Sequence, residues 1–172
     1  MIRMNSDELK AWHEVGHATA CLHLGGDIDL IEFLNGDSQG FAVTRGCYVM
    51  PHSERSVACG GFAAEFYLLR AGLIEGVDLN DKQQVAVVSG QVFSNAWRDH
   101  MEFIGREVTE DNDFTKEEKE DFMNYAINRV APIFDLYFPK MELVVRELLL
   151  SRKIEGGRVR EILQIGVPGQ MS

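Results

Sequence analysis

Apolar residues recur at helical spacing over most of the chain and alternate with polar residues over only one short section. Ser6 is a favourable N-cap residue, and the helical pattern then continues without a break to Gly25, so we expect a first helix over about 6–24. Two segments rich in β-branched and aromatic residues follow, at 27–33 and 40–50, separated by a turn-rich stretch. They predict two strands of a small antiparallel sheet.

The rest of the chain returns to helical spacing. Gly60 and Gly61 are unfavourable inside a helix, so we expect them at a point of close packing against a neighbouring element. Together the patterns predict a mainly α (α+β) fold with a small antiparallel β section, formed as one domain over 1–172. The later helices are expected over 54–72, over 80–104, from Thr115 with a kink or break at Pro132 to about 153, and over 157–165.

Composition narrows the classes of function. The 172 residues are 45% hydrophobic and 26% charged, which is ordinary for a globular domain, and the formal net charge is −10. Such a charge disfavours nucleic acid and anionic membrane surfaces as partners. The three cysteines, Cys21, Cys47 and Cys59, are odd in number and lack a C-x-x-C spacing, so we expect no disulfide framework and a cytoplasmic location.

The first helix carries the stretch "HEVGH" at residues 13–17. His13 and His17 are four residues apart, so their imidazoles lie one above the other on a helix and can reach the same ion. Glu14 then lies beside that ion, where it can accept a proton from a bound water. This is the H-E-x-x-H pattern of zinc peptidases, and it predicts a zinc site with Glu14 as the catalytic base.

The third ligand is less clearly marked. His23 has the spacing of an extended three-histidine site, but Ala20 continues the helix and turns His23 about 120° away from the ligand face. Cys21 lies on the ligand face and could close a structural zinc site, although a small buried residue is favoured there. Glu65, in "FAAEF", is a carboxylate of the kind that completes other zinc peptidase sites.

The motifs in combination resemble a known family. "HEVGHATACLHLGG", a short β section ending near Pro51, and then "VACGGFAAEFYLL" are similar to the peptidase domain of the FtsH family of ATP-dependent zinc proteases. The resemblance implies a helical, zincin-type domain in which His13 and His17 bind zinc and Glu14 activates a zinc-bound water. It also implies a third ligand from an aspartate in an Asn-Asp-containing helix.

Two aspartates fit that implied position, in the segment "GVDLNDKQQVAVV". With Asp81 as the ligand, apolar residues at +4, +7, +11 and +12 form a continuous stripe below it, whereas Asp78 would place Lys82 at +4 against the metal. We therefore expect Asp81 as the third ligand, with Asp78 as the alternative. Glu65 then belongs to the second helix as a supporting acid, and is the weaker alternative ligand.

The sequence departs from that family by having neither a G-x-x-x-x-G-K-[ST] loop nor a transmembrane segment. We therefore expect a peptidase that cuts unfolded or flexible protein chains, fed by a separate ATPase partner if by any. The family's hexameric rings raise the question of a homo-oligomer, which the sequence leaves open. A peptide substrate could add as a strand along Gly40, Phe41, Ala42 and Val43, although an ordinary core-facing strand fits equally well. The alternative function is a non-catalytic, zinc-stabilised interaction or adaptor domain.

Overall fold

The computed structural model describes residues 1–34 and 41–166. It is mainly helical with a small antiparallel sheet, which confirms the predicted fold class. The α-helices are α1 (Asp7–His23), α2 (Glu54–Ala58), α3 (Gly60–Arg70), α4 (Lys82–Asn95), α5 (Trp97–Ile104), α6 (Lys116–Tyr125), α7 (Ala131–Phe134), α8 (Phe138–Ser151) and α9 (Gly156–Leu163). A 3₁₀ turn at Pro51–Ser53 precedes α2, and a π-helical segment at Ala126–Val130 joins α6 to α7.

The sheet contains one strand more than predicted. Strand β1 (Leu30–Phe33) lies in the centre, with β2 (Ala42–Arg45) antiparallel on one side and β3 (Lys153–Glu155) antiparallel on the other. The helix expected to about residue 153 ends at Ser151, because its cap residue, Arg152, has a left-handed backbone with a φ of 62°. The chain then turns back along β1, and β2 remains at the edge of the sheet.

Two of the predicted helices are each divided into two. The helix expected over 54–72 breaks at Cys59, and the helix expected over 80–104 breaks at Ala96. The second break matters most for the site, because it turns α5 away from the axis of α4. The predicted capping box at the start of α6 is confirmed: Thr115 accepts a hydrogen bond from the Glu118 amide, and Glu118 accepts one from the Thr115 amide.

The cysteines do not behave as expected from their number and spacing. Cys21, near the end of α1, forms a disulfide with Cys47, two residues after β2, with the two Cα atoms 6.4 Å apart. Cys59 is a free, buried thiol. No local pattern indicates this pair, because its members are 26 residues apart and meet only when the β1–β2 section folds back against α1.

Helices α1 and α3 pack unusually closely, and glycines make this possible. A Cβ on Gly16 would lie 2.7 Å from the Cβ of Ala64, and one on Gly60 would lie 2.7 Å from the Cα of His17. A Cβ on Gly61 would overlap the imidazole of His13. The expectation that Gly60 and Gly61 mark a close contact is therefore confirmed, and the contact is with the helix that carries the histidine motif.

An aromatic cluster fixes the position of α5. His100 is fully buried, stacks on Phe114 with ring centroids 3.7 Å apart and on Phe122 at 4.5 Å, and its Nε2 lies 3.1 Å from the carbonyl oxygen of Glu118. Phe103, one turn further along α5, is 3% exposed and packs on Phe122. These contacts determine which face of α5 points toward α1.

Across residues 1–34 and 41–166, no helix combines the length and the apolar character needed to cross a bilayer.

The glycine contact between α1 and α3 can be tested through stability. We expect Gly16→Ala to lower the free energy of unfolding by about 1–3 kcal/mol, because the added methyl group has no space between the two helices. The matched control is Gly90→Ala in α4, where nothing lies within 4 Å of an added Cβ. There the gain in helix propensity should raise stability by about 0.5–1 kcal/mol. Urea denaturation measures both, and equal effects of the two substitutions would contradict the close-packing account.

Candidate metal centre

The two histidines of the motif point at one another from successive turns of α1. The Nε2 atoms of His13 and His17 are 3.2 Å apart. Each ring is held from its other side, because His13 Nδ1 lies 2.7 Å from Glu65 Oε1 and His17 Nδ1 lies 2.7 Å from the carbonyl oxygen of Val57. Both partners are acceptors, so each Nδ1 carries the proton and each Nε2 is left with a lone pair when the ring is neutral.

Asp99 on α5 supplies an oxygen to the same point. Its Oδ2 lies 3.0 Å from His13 Nε2 and 3.3 Å from His17 Nε2. The Asp99 side chain is only 14% exposed, and Oδ2 has no hydrogen bond of acceptable geometry within the described residues. A carboxylate oxygen and two imidazole nitrogens therefore converge on one point.

The three atoms fit the ligand set of zinc. Their separations of 3.0, 3.2 and 3.3 Å compare with about 3.3–3.4 Å between the ligands of a tetrahedral ion whose bonds are about 2.0–2.1 Å long. Two imidazoles and a carboxylate are ligands that zinc accepts in catalytic sites. Within the described residues, His13, His17 and Asp99 are the only such group that can hold a metal ion.

The pKa shifts of His13, His17 and Asp99 show how strongly these three side chains interact. Burial lowers the pKa of His13, but the nearby charge of Asp99 and the hydrogen bond with Glu65 outweigh it and hold that pKa well above its ordinary value. For His17, burial is likewise outweighed by Asp99, and the pKa is raised. Burial would raise the pKa of Asp99, but the two histidines lower it well below its usual range. The site therefore favours an anionic aspartate facing positive charge.

Glu65 serves the site through His13. Its side chain is 2% exposed, with Oε1 on His13 Nδ1 and with Oε2 accepting a 2.9 Å hydrogen bond from the Asn95 side-chain amide. A carboxylate behind a metal-binding imidazole fixes the tautomer and orientation of the ring. Glu65 therefore holds the His13 ring, and its two oxygens face His13 Nδ1 and Asn95, not the meeting point of the Nε2 atoms.

Glu14 is held from the neighbouring strand. Its Oε2 accepts a 2.7 Å hydrogen bond from the backbone amide of Thr44 in β2, and its backbone carbonyl accepts a 3.0 Å hydrogen bond from the Thr44 hydroxyl. The residue expected to act as the base is thus fixed at both its main chain and its side chain by a single residue.

The aspartates expected as the third ligand have other roles. Asp81 is the N-cap of α4, and its Oδ1 accepts hydrogen bonds from the backbone amides of Gln83 and Gln84. Asp78 lies in the preceding turn, where its Oδ1 accepts hydrogen bonds from the amide and side chain of Asn80. The expectation of Asp81, with Asp78 as the alternative, is corrected: the structure brings Asp99 to the two histidines.

The remaining candidates on α1 lie outside the cluster. The helix runs unbroken through Ala20, as expected, and His23 turns away to place its Nδ1 3.0 Å from the Tyr137 hydroxyl. Cys21 faces Cys47 in the disulfide and not the histidines. A zinc shell closed by Cys21 therefore has no support in this arrangement.

The segment considered for substrate binding is described in part. Gly40 lies outside the described residues. Phe41 is 66% exposed, and Ala42 and Val43 belong to β2, which is an edge strand. The prediction that a peptide adds along this strand stays a prediction.

Sequence reasoning missed Asp99 because it took one helix where there are two. A signal was nevertheless present: Ala96, Asp99 and Phe103 are spaced three and four residues apart, so the aspartate lies on the apolar face of its helix. An acid in that position needs a partner, because a buried unpaired carboxylate is unfavourable. The partners are the two histidines of α1.

Comparison of the sequence with models of known protein families gave no match, and comparison with curated protein sequences gave no significant match.

The charge balance of the cluster gives a titration test. In chelator-treated protein, we expect His13 and His17 to titrate above the ordinary histidine pKa of about 6.5, and Asp99→Asn to lower both pKa values. His13 should keep the higher pKa of the two, because Glu65 remains its partner. Nuclear magnetic resonance titration of the ring signals measures both, with Asp81→Asn as the control that leaves them unchanged.

The raised pKa values of His13 and His17 make the free energy of unfolding depend on pH. The two pairs with Asp99 contribute their full stabilisation below the ordinary histidine pKa, and they lose it as the pH rises through the raised pKa values. Asp99→Asn should therefore lower the free energy of unfolding mainly at pH values below the raised histidine pKa values. The effect should end at the low pH at which Asp99 itself is protonated. Histidine pKa values that do not respond to Asp99→Asn would contradict the arrangement.

Proposed function

We propose that this protein is a zinc-dependent metalloendopeptidase in which His13, His17 and Asp99 hold the metal and Glu14 is the catalytic base. The observation that carries the proposal is the convergence of the two Nε2 atoms and the buried Asp99 oxygen, next to a glutamate in the H-E-x-x-H position. The resemblance to the peptidase domain of the FtsH family supports it, with Asp99 in place of the aspartate that the resemblance implied.

The number of ligands favours catalysis over a purely structural role. The described residues offer three ligand atoms, and catalytic zinc sites typically have three protein ligands with a fourth position open to water or substrate, whereas structural sites have four. Zinc held there would polarise a substrate carbonyl and lower the pKa of a water molecule. The protein's own part is to hold that ion with rings whose tautomers are fixed by Glu65 and by the carbonyl of Val57.

Glu14 provides the proton transfer. It follows His13 directly on α1, and Thr44 holds its carboxylate through Oε2, which leaves Oε1 to accept a proton from the attacking water. The same carboxyl group then passes the proton to the leaving amine as the peptide bond breaks. Both steps are those of general base and general acid catalysis by one residue.

The substrate class is inferred from the edge strand of the sheet, at the residues that precede the contact of Thr44 with α1. An extended peptide can add as a further strand along β2, with Phe41, Ala42 and Val43 beside it. Such binding uses the backbone of the substrate and therefore suits unfolded or flexible protein chains. A separate ATPase that supplies unfolded chains, and assembly into an oligomer, stay predictions.

The alternative function is a zinc-stabilised interaction domain without catalysis. Cys21 as a fourth zinc ligand would favour this alternative, but Cys21 is instead bonded to Cys47. This alternative predicts stoichiometric zinc with no hydrolysis, and unfolding when the zinc is removed.

Zinc content and hydrolysis test the proposal together. We expect purified protein to contain one zinc ion per chain and to hydrolyse casein, and Glu14→Gln to keep the zinc while lowering kcat at least about 100-fold, because the amide cannot accept the proton. Elemental analysis and release of peptides from labelled casein are the measurements. Absence of zinc, or unchanged hydrolysis by Glu14→Gln, would contradict the proposal.

The choice of aspartate is tested by a matched pair. Asp99→Ala should weaken zinc binding by more than about 100-fold, which exceeds the usual effect of removing a residue behind a ligand. Asp81→Ala should leave zinc affinity unchanged and lower the free energy of unfolding by about 1 kcal/mol, because it removes only the cap of α4. Competition with a chromogenic chelator measures the affinities. The reverse result would restore Asp81 as the ligand.

A further inference from the structure

Thr44 touches Glu14 twice. The Thr44 amide donates to Glu14 Oε2 at 2.7 Å, and the Thr44 hydroxyl donates to the Glu14 carbonyl oxygen at 3.0 Å. The two bonds reach opposite ends of the same residue, so they restrain both the helix position of Glu14 and the direction of its side chain.

The strand that carries Thr44 is itself fastened to α1. The disulfide between Cys21 and Cys47 joins the end of α1 to the segment just after β2. Next to the disulfide, Asp27 and Tyr48 exchange backbone hydrogen bonds of 2.8 and 3.0 Å. Since β2 has only β1 as a neighbour in the sheet, these links and the Thr44 bonds tie the chain to the helix from Thr44 onward.

We propose that Thr44 is a positioning residue for Glu14: it aims the carboxylate of the base from the edge strand through its amide and locks the backbone of the base through its hydroxyl. The proposal rests on the function proposed above. A glutamate side chain has three rotatable bonds, and without a fixed partner its carboxylate would sample several positions. One held oxygen leaves the other in a defined place for proton transfer, which is where positioning contributes to rate.

Thr44→Val is the informative substitution because valine keeps the branched shape and the backbone amide but lacks the hydroxyl. We expect kcat to fall by about 10–100-fold with KM changed less than about threefold and zinc content unchanged. Thr44→Ser, which keeps the hydroxyl, should retain kcat within about threefold of the original protein. The matched control is Thr19→Val on α1, since Thr19 Oγ1 is buried and has no hydrogen-bond partner within the described residues.

A second measurement is independent of both zinc and hydrolysis. If Glu14 accepts a hydrogen bond from the Thr44 amide, hydrogen exchange of that amide should be slow. It should accelerate at least about tenfold in Glu14→Ala. The amide of Asp29, which donates to the Arg45 carbonyl at the other side of β2, should exchange at the same rate in both proteins. Nuclear magnetic resonance resolves the two amides.

The outcomes separate the two proposals. Wild-type kcat in Thr44→Val would overturn the role of the Thr44 hydroxyl, and a raised KM with unchanged kcat would make Thr44 a substrate-binding residue. Equal exchange of the Thr44 amide in the presence and absence of the Glu14 carboxylate would overturn the role of the amide. Protein that binds zinc but does not hydrolyse casein refutes the peptidase proposal, and hydrogen exchange then decides whether Thr44 holds Glu14.

Discussion

The close approach of α1 and α3 is the constraint on which the candidate site depends. Gly16, Gly60 and Gly61 remove the side chains that would separate the two helices, and the His13 ring occupies the space that a side chain at position 61 would fill. This proximity buries both imidazoles and brings Glu65 within 2.7 Å of His13. A one-carbon change at these glycines therefore affects packing and site geometry together.

Burial in turn explains why a third, charged group is needed. Two neutral imidazoles whose Nε2 lone pairs face each other at 3.2 Å repel unless a positive charge lies between or on them. Asp99 provides the compensating negative charge from α5, and the stacking of His100 on Phe114 and Phe122 fixes that helix. Without a cation shared by the three groups, protons on the histidines take its place, so metal and protons compete for the same nitrogens.

The parts of this arrangement that sequence could predict are those that depend on local spacing. The unbroken helix through Ala20, the four-residue relation of His13 and His17, and the close-packing role of Gly60 and Gly61 each follow from a few neighbouring residues. Local spacing places Asp99 on the apolar face of its helix, but it does not show that this helix brings Asp99 to the two histidines, because the break at Ala96 depends on how α5 packs in the aromatic cluster. The Cys21–Cys47 disulfide and strand β3 were missed for the same reason, since each joins segments that are distant in sequence.

The claim that the three side chains share one zinc ion is tested most directly by anomalous X-ray diffraction at the zinc edge on crystals of the zinc-loaded protein. The account predicts one strong peak about 2.0–2.2 Å from His13 Nε2, His17 Nε2 and an Asp99 carboxylate oxygen. A peak bound by Asp81 or Asp78, or no peak between the two histidines, would contradict it.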